Sequence, residues 1–184
     1  MKKVVERYVF TRDVVDKTEE QLSHLRQIER YCMIRQWCRG KVLDFGCGSG
    51  YGTYIVSKNS DVKSILGYDI SAEAIAWAGD NFSNYNLQYT SKLENTNFDM
   101  LLAIEVVEHI LDKTLIPTVA KNLEVKEIIL SYPSKKTTHY NKFHHYDYNT
   151  QELLDLFVGY KLLREINFHE ECKILMLIKD TIAS

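Results

Sequence analysis

Very little in this sequence interrupts or cross-links the chain. Only two prolines and eight glycines fall in 184 residues, and no stretch is rich in Ser, Gln or Pro, which excludes a long disordered linker or tail. The four cysteines, Cys32, Cys38, Cys47 and Cys172, form no Cys-x-x-Cys pair. A structural zinc site is thereby excluded, and a reducing, cytoplasmic setting is expected. The start Met1-Lys2-Lys3 leads into a mixed charged stretch instead of an apolar signal core. Apolar runs break well before the roughly 20 residues that a membrane span needs, so no membrane partner is expected. Neither sign of charge dominates, since 23 Lys plus Arg stand against 25 Asp plus Glu. That balance argues against holding nucleic acid through a global basic field and leaves room for a local basic patch. What is present is 45% hydrophobic residues, in a length suited to one domain at roughly 150 residues per domain.

The apolar spacing predicts an alternation of strands and helices. Thr18-x-x-Gln21 has the form of a capping box ahead of Leu22, Leu25, Ile28 and Cys32, which recur at helical steps up to Gly40. Residues 1–17 show no clean period and read as a strand or coil arm. Strands are expected at 42–45, 62–68, 87–90, 98–104 and 127–132, with helices at 51–58, after Ser71, at 112–122 and from Asn149-x-x-Glu152 to Gly159. Runs 160–168 and 172–179 are separated by a turn too short for anything but antiparallel pairing. The fold class is therefore α/β, a doubly wound, mostly parallel sheet with a reversed C-terminal hairpin strand at or near its edge.

The most informative segment is Asp44-Phe45-Gly46-Cys47-Gly48-Ser49-Gly50-Tyr51-Gly52, where a buried strand runs into a loop with glycine at every second position. Such a loop lets backbone approach a ligand closely, beyond the carboxyl end of the strand. A dinucleotide-binding G-x-G-x-x-G is excluded, because Tyr51 and Thr53 stand where its third glycine would be needed. A P-loop fails for want of Gly-Lys-Ser/Thr. The next strand ends in Tyr68-Asp69, and an acid there can accept both hydroxyls of a ribose.

With those residues in place, the chain resembles the class I S-adenosylmethionine-dependent methyltransferases, more narrowly the small ones carrying E-V-x-E-H. Asp44 to Gly50 is similar to their first motif, Gly67-Tyr68-Asp69-Ile70-Ser71 to their second, and Phe98 to His109 to their strand-four motif. The resemblance implies a three-layer Rossmann-like sheet. It also implies a cofactor, S-adenosylmethionine, held by Asp44, Gly46, Cys47, Gly48, Gly50, Tyr51, Asp69, Ile70 and Glu105. It divides the chain into an N-terminal arm and helix, 1–39, capping the cofactor pocket, and a catalytic domain, 40–184. Tyr8 and Arg12 become lid candidates. Two departures stand out: Ser91-Lys92 replaces the acid that often meets the adenine amino group, and Glu124-Val125-Lys126-Glu127 replaces a Lys-Pro-Gly-Gly turn.

Methyl transfer from a sulfonium is an in-line displacement, in which the protein mainly aligns the acceptor and excludes water. A base matters when the acceptor is a hydroxyl. Glu105, Glu108 and His109 leave strand four as E-x-x-E-H, and His144 and His145 sit in the loop after strand five, expected at the same crevice. Glu105, His109 and His144 are the candidate catalytic residues. Glu105, Glu108, His109 and His144 are the candidate ligands for a divalent metal, which would lower the pKa of an acceptor hydroxyl; the arrangement resembles that of small-RNA 2′-O-methyltransferases. Loop 134–148 mixes cations with aromatics suited to stacking on bases or closing over a sugar. The expected acceptor is a small molecule or saccharide, methylated on oxygen or, less favoured, nitrogen. Metal-assisted transfer to an RNA ribose and a non-catalytic cofactor-binding role are the alternatives, and the oligomeric state stays open.

Overall fold

The computed structural model describes residues 12–169 and 172–180, with side chains from 21 onward apart from 23 and 24. The elements run α1 (Arg12–Ile34), a 3-10 turn (Arg35–Trp37), β1 (Gly40–Phe45), α2 (Tyr51–Ser57), β2 (Val62–Tyr68), α3 (Ala72–Asn81), β3 (Leu87–Thr90), β4 (Met100–Ile104), a 3-10 turn (Val107–His109), α4 (Leu115–Asn122), β5 (Glu127–Pro133), α5 (Thr150–Leu156), β6 (Tyr160–Phe168) and β7 (Cys172–Lys179). One seven-stranded sheet has the order β3-β2-β1-β4-β5-β7-β6. β1 to β5 pair in parallel, while β7 runs antiparallel to both β5 and β6. The reversed strand is thus second from the edge, as the short hairpin turn requires.

Both faces of the central strands are buried, so they read as continuous apolar runs. On one face Val42, Val56, Ile65, Leu102 and Ile174 pack with Tyr31 and Ile34 of α1. On the other, Leu43, Leu101, Ile128 and Leu175 pack with Ile116 and Ala120 of α4 and Leu153 of α5. No helix lies between β3 and β4. The second face beside β2 and β3 is left as an open cleft of about 630 Å³, touched by Leu66, Leu87 and Thr96.

Several expected boundaries shift, among them β4, which begins at Met100 and not at 98, and α5, which ends at Leu156, short of Gly159. α1 begins at Arg12, so Thr18 lies inside the helix: residues 12–17 contain no Gly or Pro to stop a helix already propagating. The helix also ends before Gly40, whose φ of +68° instead opens β1. α4 starts at Leu115 because Asp112 accepts the Thr114 N–H (2.9 Å) and hydroxyl (2.7 Å), folding 112–114 as a turn. Two cap signatures match in detail: Ser71 accepts from the Ala74 N–H, and Asn149 and Glu152 form a reciprocal capping box. Tyr8 and the Arg12 side chain lie outside the described residues.

At the end of α4, Glu124 adopts φ +53°. Its backbone N–H reaches Lys121 O at 3.2 Å and Val125 N–H reaches Ala120 O at 2.9 Å, a left-handed helix end built without glycine. A side chain there costs about 1 kcal/mol. The exposed bond from Asn97 to Glu124, 3.1 Å, offsets little of it. Glu124→Gly is expected to raise stability by about 0.5–1 kcal/mol in urea denaturation; an unchanged or lower midpoint contradicts this reading of the turn.

Candidate active site

β1 delivers Asp44 to the end of the sheet, where it is fully buried. Tyr31 of α1 donates its hydroxyl to Oδ1 (3.2 Å) and Thr53 of α2 donates to Oδ2 (2.7 Å). Burial pushes the Asp44 carboxyl up to about 6 against these two hydrogen bonds. Asp44 therefore anchors the loop from beneath and does not line the cavity above it. The loop Gly46–Gly50 turns over this anchor. Gly48 has φ +52° and open space where a Cβ would stand, and its N–H donates to Asp69 Oδ2 (2.9 Å). Gly50 has φ +85°, and a Cβ there would lie 2.5 Å from Ala78 and 2.8 Å from the Tyr89 oxygen. The Tyr89 hydroxyl instead donates to Gly50 O at 2.9 Å, closing the loop from β3.

Asp69 also accepts the Ser71 N–H on Oδ1 (2.9 Å), so each oxygen has one backbone donor and a further lone pair. Ile70 next to it is 87% exposed. Cys47 is buried, and burial raises its thiol well above the ordinary value, so it is a small inert residue in the loop.

A cavity of about 410 Å³ opens over the loop, lined by Gly46, Cys47, Gly48 and Tyr51, by Gln27, Arg30 and Tyr31 of α1, and by Glu105, Glu108, His109, Asn141 and His144. β4 ends at Ile104, and Glu105 follows with φ +55°. Its Oε1 accepts from Ser131 Oγ (2.8 Å) and Cys172 Sγ (3.2 Å), with Arg30 4.0 Å from Oε2. These contacts turn the Glu105 carboxylate toward β5, β7 and α1.

Glu108 is 1% exposed, and neither of its carboxylate oxygens has a hydrogen-bond partner among the described residues. Burial, reinforced by the Glu105 charge, holds its carboxyl well above the usual range. His109 Nε2 stands 4.0 Å from Glu108 Oε1, and the His109 and His144 rings meet edge to face at 4.5 Å. One ligand atom each from Glu108, His109 and His144 fits within 4.8 Å. Burial, with His109 alongside, lowers the His144 pKa and favours neutral imidazole. The four expected metal-site residues thus share one cavity, but Glu105 stands apart from the cluster of three. His145 is exposed; its backbone N–H donates to Glu108 O at 2.8 Å and ties the loop to the turn.

The larger cleft beside β3 contains none of the glycine loop, Glu108 or the histidines. The smaller cavity is the candidate site because the loop, the orphaned acid and two imidazoles converge there.

Residues 14–155 match the family model described as a methyltransferase domain. The chain belongs to this methyltransferase family. Its fold is shared with the magnesium protoporphyrin IX methyltransferase of Synechocystis PCC 6803 solved with bound S-adenosylmethionine, at 16% identity, 84% coverage of this chain, 80% of that one and a TM-score of 0.66. The methyltransferase domain of bacterial CtHen1-C is similar at 18% identity, with 84% and 97% coverage and a TM-score of 0.63. An S-adenosylmethionine-dependent methyltransferase from Aquifex aeolicus matches at 14%, with 76% and 81% coverage and a TM-score of 0.63. No curated protein matches the sequence of this methyltransferase at a significant level. No helix among its described residues is long and apolar enough to cross a membrane.

Sequence reasoning expected the N-terminal helix over the pocket but did not single out Arg30 and Tyr31 within it, nor Tyr89 of β3. Arg30-Tyr31 stands ahead of Gly40-Lys41-Val42-Leu43-Asp44 in the sequence, but which wall the pair meets depends on how α1 packs. Tyr89 and Thr53 carried no signal, because their roles depend on tertiary placement.

The Asp44 anchor makes stability depend on pH. Its folded pKa, about 6, lies above the unfolded value near 3.9. Its contribution is therefore complete below about pH 4 and is lost as pH rises through about 6. Relative to Asp44→Asn, the wild type is expected to be about 1–3 kcal/mol more favoured at pH 4.5 than at pH 7.5 in urea denaturation. A difference independent of pH contradicts the buried acid.

Proposed function

We propose that this methyltransferase moves the methyl group of S-adenosylmethionine to a hydroxyl oxygen of a compact small-molecule or saccharide acceptor, and that His144, with Glu108 beside it, receives the proton. The observation that carries the reading is Glu108: a buried carboxyl whose two oxygens have no hydrogen-bond partner among the described residues, next to two imidazoles. An arrangement of acceptors without a donor is costly to bury unless a proton or cation arrives there.

The donor fits the glycine-loop side. Its methionine part would rest on Gly46, Cys47, Gly48 and Tyr51, with Arg30 offering a guanidinium to the carboxylate. The ribose hydroxyls would use the remaining lone pairs of Asp69, and the exposed Ile70 would meet the adenine. Helix α1 would cap the pocket through Gln27, Arg30 and Tyr31, which line it. In the displacement the acceptor oxygen bonds to the methyl carbon as the carbon–sulfur bond breaks, leaving a neutral thioether and releasing the hydroxyl proton. Neutral His144 accepts that proton and becomes an imidazolium beside the Glu108 carboxyl.

A second reading adds a divalent cation. Glu108, His109 and His144 supply one carboxylate and two imidazoles close enough for one ion. Such an ion would lower the pKa of the acceptor hydroxyl.

Radiolabelled donor should be offered to small-molecule, saccharide and RNA pools. Incorporation is expected in the first two, and labelling of RNA alone overturns the acceptor proposal. Glu108→Gln and His144→Gln are expected to slow transfer about 10²–10⁴-fold while S-adenosylhomocysteine affinity changes little in calorimetry. Asp69→Ala should weaken that affinity about 10-fold or more; loss of transfer to a chelator selects the metal reading.

A further inference from the structure

Behind His144 the loop between β5 and α5 is closed by its own polar groups. Asp147 Oδ1 accepts the backbone N–H groups of Thr137 (2.7 Å) and Thr138 (3.1 Å), and its Oδ2 accepts the Thr138 hydroxyl (2.6 Å). Residues ten positions apart are thereby joined, which makes 137–147 a self-closed loop. The same donors hold the Asp147 carboxyl down at about 2, so it is an anion at working pH.

Thr137 is 6% exposed. Its hydroxyl oxygen lies 2.6 Å from His144 Nδ1 and 3.4 Å from Asp147 Oδ1. A hydroxyl has one proton to give and lone pairs to receive. With an ionised carboxylate on one side, that proton goes to Asp147, and a lone pair of the Thr137 oxygen faces the imidazole. His144 Nδ1 must then carry its hydrogen, which leaves Nε2 as the nitrogen with a free lone pair. His109 is fixed in the same sense, since its Nδ1 lies 3.0 Å from the Phe143 carbonyl, which can only accept.

We propose that Thr137 and Asp147 are positioning residues for methyl transfer, holding His144 as its Nδ1–H tautomer so that Nε2 is free for the acceptor proton. This deepens the proposed function and rests on its assignment of His144. The loop does more than fold: it selects which nitrogen of one ring faces the chemistry, as outer-shell partners do for ligating histidines.

Long-range proton–nitrogen correlation on the full, nitrogen-15-labelled chain at about pH 8 reads the tautomer directly. Six histidines give six ring systems, and His144 is assigned by its loss in His144→Gln. The wild type is expected to carry the His144 proton on Nδ1. Thr137→Val, which keeps the shape and removes the hydroxyl, should move it to Nε2 and lower kcat about 10–100-fold with S-adenosylhomocysteine affinity unchanged. Thr137→Ser should retain both wild-type properties. An Nε2–H tautomer in the wild type, or a Thr137→Val spectrum identical to it, overturns the proposal. The tautomer is read without turnover, so its failure is separate from failure of the proposed reaction, which shows as undiminished transfer by His144→Gln.

Discussion

The buried Asp44 carboxylate is the contact on which the rest of the site depends. It sits where β1 ends and receives hydroxyls from α1 and α2 at once. Three elements that the sheet alone would not fix relative to one another are thereby joined beneath the glycine loop. Burying an acid is unfavourable unless it is hydrogen-bonded, and Tyr31 and Thr53 supply the bonds. Through Tyr31 the anchor also places Gln27 and Arg30 of the same helix on the cavity wall. The loop above it is fixed again from the side by Tyr89 and Asp69.

The opposite wall follows a different rule. β4 is buried along its whole length, so polar residues can appear only after it ends. Glu105 takes the strained left-handed turn and is immediately satisfied by Ser131 and Cys172. Glu108, one short turn later, has no hydrogen-bond partner for its carboxylate among the described residues. One acid is thus held by its neighbours and the next is left without a hydrogen-bond partner among the described residues, a division that the spacing E-x-x-E-H does not reveal. Strain and an orphaned polar group in neighbouring residues are features that folds tolerate at functional sites.

Much of this is legible in the sequence because the signals are local. β2, β3, β6 and β7 run as their apolar patterns indicate, and the Asn149 capping box forms as written. The spacing of the glycines is by itself enough to exclude a dinucleotide site. The parts that escape are tertiary. A cap-like Thr18 can sit within a continuing helix, which hides the true start of α1. Asp44 has the look of a ligand contact, yet the fold makes it an anchor, a distinction set by burial. Glu105 and Glu108 look equivalent, and only the neighbours contributed by β5 and β7 separate them. Thr137 has no sequence signal, since its partner His144 is reached by the fold of the loop.

The central claim is that the glycine loop presents the donor's sulfur to Glu108 and His144. A crystal structure of the chain with S-adenosylhomocysteine tests it most directly. The account predicts ribose hydroxyls on Asp69 and the thioether sulfur facing Glu108 and His144 across the 410 Å³ cavity. A nucleoside seated in the cleft beside β3, or a sulfur turned away from both residues, would contradict it.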